Sequence, residues 1–224
     1  MTLESAGAIA STLGEPARGA QRATARRAEL MAQVRKAALE EFALYGLRGA
    51  STQGIAQRAG ISKQSLHYYI ESKEALYEEV LKETTDHWAA LIEDADTDAQ
   101  PRIAIATLVR RKLDFAFDHP SVSRLFAIEV MEGGTRLRGY WAAWSAKRER
   151  ALAAIQRWVD EGRIAPVDPL IFLFHIWAVT QHYADYEAQV RYLMGATGDA
   201  PLDRERIARE VTKLVLRSCG LADE

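Results

Sequence analysis

Five side chains that can donate or accept hydrogen bonds lie within a short stretch in the first third of the chain. They are Lys63, Gln64, Ser65, His67 and Tyr68. An amine, an amide, a hydroxyl, an imidazole and a phenol are the groups that read base edges and hold phosphates in a DNA groove. Leu66, Tyr69 and Ile70 fall on the opposite side at helical spacing. The pattern predicts one short amphipathic helix whose polar face binds nucleic acid.

Further groups of the same kind flank this helix. Ser51, Thr52 and Gln53 open the preceding segment, where backbone amides and hydroxyls at a helix start can bind a phosphate. Lys73 lies just after the polar helix and is predicted to contact another phosphate. These nine residues are the candidate DNA-binding set.

The elements that must position this set read as a helix-turn-helix. A first helix starts near Thr24 and ends at Gly46, with an apolar face at three- and four-residue spacing. Ser51 or Thr52 caps a short second helix, the chain turns at Gly60, and Ser62 caps the polar third helix. We expect residues 24–71 to form a three-helix DNA-binding domain. Residues 1–23, with Arg18 and Arg22, are predicted to form a disordered arm.

The rest of the chain predicts longer helices separated by glycine, proline and capping residues. We expect them over residues 72–92, 101–118, 121–132, 137–161, 169–186 and 203–217. No segment alternates strictly enough to form a strand of any length. The fold class is therefore all-α with about nine helices: the N-terminal domain and a helical ligand-binding and dimerisation domain over residues 72–224.

Charge and composition narrow the function. The net charge is +6 over residues 18–73 and −6 over residues 74–224, so only one end favours a polyanion. No apolar run is long enough to span a bilayer, and the N-terminus lacks the pattern of a signal peptide. Cys219 is the single cysteine, so no intrachain disulfide can form. We expect a cytoplasmic protein without a membrane partner.

Catalysis, metals and cofactors have weak support. The sequence lacks the common motifs of serine hydrolases, phosphate loops, dinucleotide-binding folds and zinc proteases. An enzyme using His175, His182 and Asp185 is an alternative. However, the two histidines are two helical turns apart, about 10 Å, which is too far to share one metal ion. We expect no enzyme, no metal and no cofactor.

The helix-turn-helix segment resembles the DNA-binding domain of TetR-type repressors over about fifty residues. The resemblance is carried by residues 45–52, 55–62, 66–70 and 72–76, which include the Gly60 turn, Tyr69 and the Ser-Lys-Glu-x-Leu helix start. Two positions depart from the common pattern, because Gln64 stands where a small residue is usual and Ile70 where Phe is common. The resemblance implies a regulator, most often a repressor, that binds double-stranded operator DNA.

The C-terminal region resembles one subgroup of that family, the regulators of pyrimidine utilisation. The similar segments are residues 123–126, 158–159, 162–169 and 176–185, together with Glu129 and Gly133; residues 136–147 depart from them. The resemblance implies a homodimer and a uracil-like effector. A multidrug-type sensor of hydrophobic ligands and a DNA-binding protein without a ligand remain alternatives.

The effector site is predicted around Trp177 and Gln181, which share one helix face. A pyrimidine edge can pair with an amide while an indole stacks on the ring; alternatively, both side chains are structural. The other predicted ligand contacts are Phe126, Glu129, Trp141 and Trp144. The dimer interface is predicted on the last two helices, through Phe172, His175, Val179, Val211, Leu214 and Val215.

Overall fold

The protein is built from helices throughout the part that the computed structural model describes, residues 15–93, 100–198 and 200–221. These ranges contain eleven α-helices, a 3-10 helix at Thr135–Leu137 and no β-strand, so the predicted all-α class is confirmed. Every helix in the same ranges is too short or too polar to cross a membrane. The helices are α1 (Glu15–Gly49), α2 (Thr52–Arg58), α3 (Lys63–Tyr69), α4 (Lys73–Glu93), α5 (Pro101–Asp118), α6 (Pro120–Met131), α7 (Arg138–Ala143), α8 (Ser145–Asp160), α9 (Pro169–Asp185), α10 (Glu187–Leu193) and α11 (Arg204–Ser218).

The first helix is longer than predicted at both ends. It begins at Glu15, so residues 15–23 are helical and the prediction of a disordered arm is wrong for them. Glutamate, alanine, glutamine and arginine favour helix there even without an apolar face, and Pro16 suits a first turn. Residues 1–14 of the predicted arm lie outside the described residues. The predicted stop at Gly46 appears as a kink with φ 62° and ψ 179° inside α1.

Two of the predicted long helices are broken, which raises the number of helices from nine to eleven. The helix expected over residues 137–161 divides at Trp144 into α7 and α8. The second break is at Tyr186, whose φ of −112° and ψ of 28° separate α9 from α10. Both breaks lie at aromatic residues, whose rings contact neighbours outside their own turn.

Two hydrophobic cores organise the molecule. The first joins α1 to α4 with Leu125 of α6 and Leu137. The second joins α5, α8, α9 and α11. A smaller cluster of Trp88, Phe115 and Val122 lies beside partly buried side chains from α1, α6 and Trp144. Because α6 packs on α1, α4 and α9, it connects the helix-turn-helix to the rest of the chain.

The second core corrects the predicted dimer interface. Phe172, Val211 and Val215 are buried within their own chain and cannot also contact a second copy. Their helices are amphipathic, and these side chains belong to the inward face, which a single sequence does not distinguish from an interface. His175 and Leu214 do lie on the outer face, where Leu214 is 57% exposed, and Val179 is half-buried.

Candidate functional site

Local hydrogen bonds fix the helix-turn-helix as predicted. The Ser51 hydroxyl accepts from the backbone N–H of Gly54 at 2.9 Å, and the Ser62 hydroxyl accepts from that of Ser65 at 3.0 Å. Both serines therefore cap a helix start. Gly60 turns the chain with φ 67°, a left-handed conformation that glycine adopts without steric cost.

The third helix, α3, presents the predicted polar face to solvent. Its five exposed side chains are Lys63, Gln64, Ser65, His67 and Tyr68. Leu66 is fully buried, whereas Tyr69, expected to be buried, is half-buried with its ring centroid 5.2 Å from that of Tyr68. Tyr68 is 77% exposed, although an aromatic ring gains by burial, so this ring is free to contact a partner. The surface offers amine, amide, imidazole and phenol groups without folding competitors.

The start of α2 contains a carboxylate that sequence reasoning missed. Glu41 is buried, and it accepts hydrogen bonds from the Ser51 N–H at 3.4 Å and the Arg58 Nε at 2.9 Å. Its carboxylate occupies the space that a Cβ at Gly54 would fill. The glycine inside a helix was the available signal. Ser51 and Gln53 are exposed and Thr52 is half-buried, so this helix start still faces solvent.

Lys73 has a structural role that the sequence did not reveal. Its ammonium donates hydrogen bonds to the carbonyls of Leu47 at 2.7 Å and Ala50 at 2.9 Å. These bonds satisfy backbone acceptors at the C-terminal end of α1. The predicted phosphate contact stays a prediction, since an ammonium has a third N–H.

The predicted effector residues are distributed over several places. Glu129 lies at the junction of α4 and α6 and is only 1% exposed. It accepts from the Tyr77 hydroxyl at 2.9 Å, the Arg136 backbone at 3.2 Å and the Arg136 Nη1 at 3.3 Å. Burial first, and then the bond to Glu129, raise the pKa of Tyr77. Glu129 thus holds a joint whose solvent side is a cleft of about 330 Å³ that includes Leu47, Arg48 and Glu132.

Two other predicted residues, Phe126 and Trp144, do come together. Their ring centroids are 6.3 Å apart, and Phe126 also lies 5.1 Å from Trp88. Trp88 in turn lies 5.7 Å from Phe115. We call Trp88, Phe115, Phe126 and Trp144 the aromatic cluster. Trp141 lies apart from it, against the backbone of Gly134.

The residues on α9 belong to another environment. Trp177 packs against the second core with its ring centroid 5.5 Å from Phe174. Burial raises the pKa of Asp185, and a hydrogen bond with the Gln181 amide opposes that rise. Gln181 therefore has a partner on its own helix. A pocket bordered by Trp177 and Gln181 remains a prediction.

Lys112 is the second residue that sequence reasoning missed. Its side chain on α5 is 6% exposed, and its Nζ lies 4.1 Å from the centroid of the Trp88 ring. Burial lowers the pKa of Lys112 to about 7. The described residues give this ammonium no hydrogen-bond acceptor or charged partner. The sequence held a signal, because Lys112 falls in register with the apolar residues Ile105, Val109 and Ala116 on α5.

Known proteins resemble both halves of the chain. A family model described as bacterial regulatory proteins, tetR family, matches residues 34–80, and one described as YcdC-like protein, C-terminal region, matches residues 81–222. The HTH-type transcriptional regulator RutR of Escherichia coli strain K12 is 39% identical over 80% of this chain and 87% of its own. The HTH-type transcriptional repressor SCO4008 of Streptomyces coelicolor is 29% identical over 83% of this chain and 95% of its own. The solved structure of the ketosteroid transcriptional regulator KstR2 of Mycobacterium tuberculosis has a TM-score of 0.67 at 22% identity, covering 89% of this chain and 96% of that one, and shares its fold.

Proposed function

This chain belongs to the TetR family of transcriptional regulators, and from that premise we propose that it is a ligand-released repressor. In this proposal a homodimer binds double-stranded operator DNA through α3. A small molecule bound among the C-terminal helices then lowers its affinity for DNA. The protein works in the cytoplasm and catalyses no reaction.

The polar face of α3 is the observation that carries this proposal. A buried Leu66 anchors the helix while the opposite side chains remain in solvent. Gln64 presents an amide that can bind adenine in bidentate fashion, and Lys63 can bind a guanine or a phosphate. His67 and Tyr68 extend the same surface along the groove. We therefore assign base recognition to Gln64 and assign Lys63 to either role.

The outer face of α9 supports the homodimer. Ile171, Phe174, His175 and Ala178 recur at three- and four-residue spacing, and all are exposed in the single chain. Leu214 on α11 adds a further exposed apolar side chain. Such a stripe buries itself well against an identical helix across a two-fold axis. The dimer would place its two α3 helices about 34 Å apart, one turn of DNA.

The position of α6 supports communication between effector and DNA. This helix carries Phe126 in the aromatic cluster and Glu129 in the joint with α4. Its Ile128 and Glu132 lie close to Gly46 of α1, at the kink. A ligand that moved α6 would move both helices that hold α3. The coupling required is about 1–3 kcal/mol. The resemblance of residues 176–185 to regulators of pyrimidine utilisation makes a pyrimidine-like compound the first candidate effector.

A selection from random double-stranded DNA tests the regulator proposal. The preferred sequence should be a palindrome that the protein binds as a dimer, as followed by fluorescence anisotropy and light scattering. Gln64→Ala should change the preferred bases, because its amide reads them directly. Lys82→Ala, a charge change on an exposed part of α4, should preserve both affinity and sequence. A selection that yields no preferred sequence, or a Gln64→Ala variant with unaltered preference, would refute the assignment.

A further inference from the structure

We propose that the aromatic cluster around Lys112 binds a small planar anion, with the Lys112 ammonium and the Trp88 indole N–H as its hydrogen-bond donors. This inference deepens the proposed function and rests on it, because it names the chemical class of the effector and two residues that bind it.

The charge of Lys112 is the first observation. Its side chain is almost completely buried, and the contact recorded for its Nζ is the face of the Trp88 ring. A ring face attracts a cation but does not replace the hydrogen bonds that an ammonium makes in water. A carboxylate oxygen would supply both the hydrogen bond and the opposite charge.

The Trp88 indole is the second, independent observation. Its Nε1 is buried and has no hydrogen-bond partner within the described part of the chain. Buried donors of this kind are paired in most proteins, by protein or by ordered water. Here the unpaired N–H belongs to the same ring that lies under the unpaired ammonium. Two unsatisfied donors therefore meet in one place, and both require an acceptor.

Other buried charges show that this arrangement is unusual for the chain. Glu41 is paired with Arg58, and Glu129 is paired with Tyr77 and Arg136. Each of these carboxylates receives at least two hydrogen bonds. The fold compensates these acidic groups but leaves Lys112 without a counterion among the described residues.

The walls of the cluster define the shape of the ligand. Phe126 and Trp144 are nearly parallel, with ring centroids 6.3 Å apart and an angle of 30° between their planes. A flat ring inserted between them needs about 7–8 Å, because stacked carbon atoms are separated by about 3.5–4.0 Å. A small separation of α6 from Trp144 would therefore admit one planar ring. That movement involves the helix that also packs on α1 and α4.

Orotate and uracil form a matched pair of probes, since they share a planar ring and differ by one carboxylate. We would measure the binding of each to the full-length protein by calorimetry at pH 7. Orotate should bind at least about tenfold more tightly than uracil, because the added charge meets an uncompensated cation. Equal binding of both, tighter binding of uracil, or binding of neither overturns the inference.

Two variants assign the donors. Lys112→Met should weaken orotate binding by about tenfold or more and leave uracil within about twofold. Trp88→Phe keeps a ring, removes the N–H and should weaken orotate by about threefold to tenfold. Lys82→Met, on the exposed side of α4, is the matched control and should change neither. Unchanged orotate affinity in either donor variant, with circular dichroism confirming its fold, overturns the assignment.

The same proteins separate this inference from the regulator proposal. Operator binding is followed by fluorescence anisotropy with each probe added. If uracil releases the DNA and orotate does not, the regulator proposal is supported and the anionic class is wrong. If no sequence-specific DNA binding occurs while orotate still binds through Lys112, the site is supported and the regulator proposal fails.

Discussion

The junction at Glu129 and the aromatic cluster at Lys112 both bury a charged side chain, but the protein treats the two charges differently. Glu129 receives hydrogen bonds from a tyrosine, a backbone amide and an arginine. Lys112 has only the face of Trp88 against its ammonium within the described residues. A paired buried charge is costly to break, whereas an unpaired one is costly to keep. The contrast separates a structural joint from a site that awaits a ligand.

The largest expected effect comes from removing the uncompensated charge. Lys112→Met should stabilise the ligand-free protein by roughly 3–5 kcal/mol near pH 7, because one pKa unit corresponds to about 1.4 kcal/mol. The basis is a Lys112 pKa of about 7 in the folded chain against an ordinary value of 10.5. Urea unfolding at matched protein concentration measures the difference. A destabilised variant would mean that the ammonium has a partner after all.

The second prediction concerns the pH range over which that gain disappears. Between the folded pKa of about 7 and the unfolded value of 10.5, the unfolded chain binds more protons at Lys112. The stability of the natural protein should therefore rise with pH across this range. The advantage of Lys112→Met should shrink by about 3 kcal/mol between pH 7 and pH 9.5. His87 and His119 are present in both proteins, so their contribution cancels; a difference that stays constant over this range would contradict the account.

Breaking the compensated site should have the opposite sign. Glu129→Ala should destabilise the protein by about 2–3 kcal/mol, because it leaves the buried Tyr77 hydroxyl without its acceptor. Arg136 is half-exposed and can turn to water, which limits the loss. Glu132→Ala, on the exposed end of the same helix segment, is the control and should change stability by less than about 0.5 kcal/mol. If the two variants behaved alike, Glu129 would not be holding the joint.

The smallest effect isolates one bond of the joint. Tyr77→Phe removes a hydroxyl and keeps the ring, which packs edge-on against Phe42 at 4.9 Å between centroids. Glu129 retains both bonds from Arg136, so stability should fall by only about 1 kcal/mol. Unfolding of the double variant with Glu129→Ala should be less than additive, because the two residues share a hydrogen bond. Additive losses would argue against that bond.

The sequence predicted those features that depend on neighbours along the chain. The caps at Ser51, Ser62 and Asp168 and the polar face of α3 follow from residue type and helical spacing alone. The breaks at Trp144 and Tyr186 were missed because neither site carries a glycine or proline. A single sequence identifies an apolar face but not the surface that covers it.

The candidate effector residues show the same limit. Phe126 and Trp144 were rightly grouped, but Trp88 and Lys112 come from α4 and α5 and meet only through tertiary packing. Glu129 was assigned to the pocket from its position in α6, whereas its partners are Tyr77 and the backbone after Gly134. Charge compensation is a property of three-dimensional neighbours, so it became visible only in the fold.

The protonation of Lys112 tests the central claim most directly. Its side-chain Cε and Hε resonances can be followed by NMR through a pH titration of protein labelled at lysine, with Lys112→Met providing the assignment. The account predicts a pKa of about 7 in the free protein and a clear rise when orotate is bound. A free protein in which Lys112 titrates at an ordinary lysine pKa would contradict it.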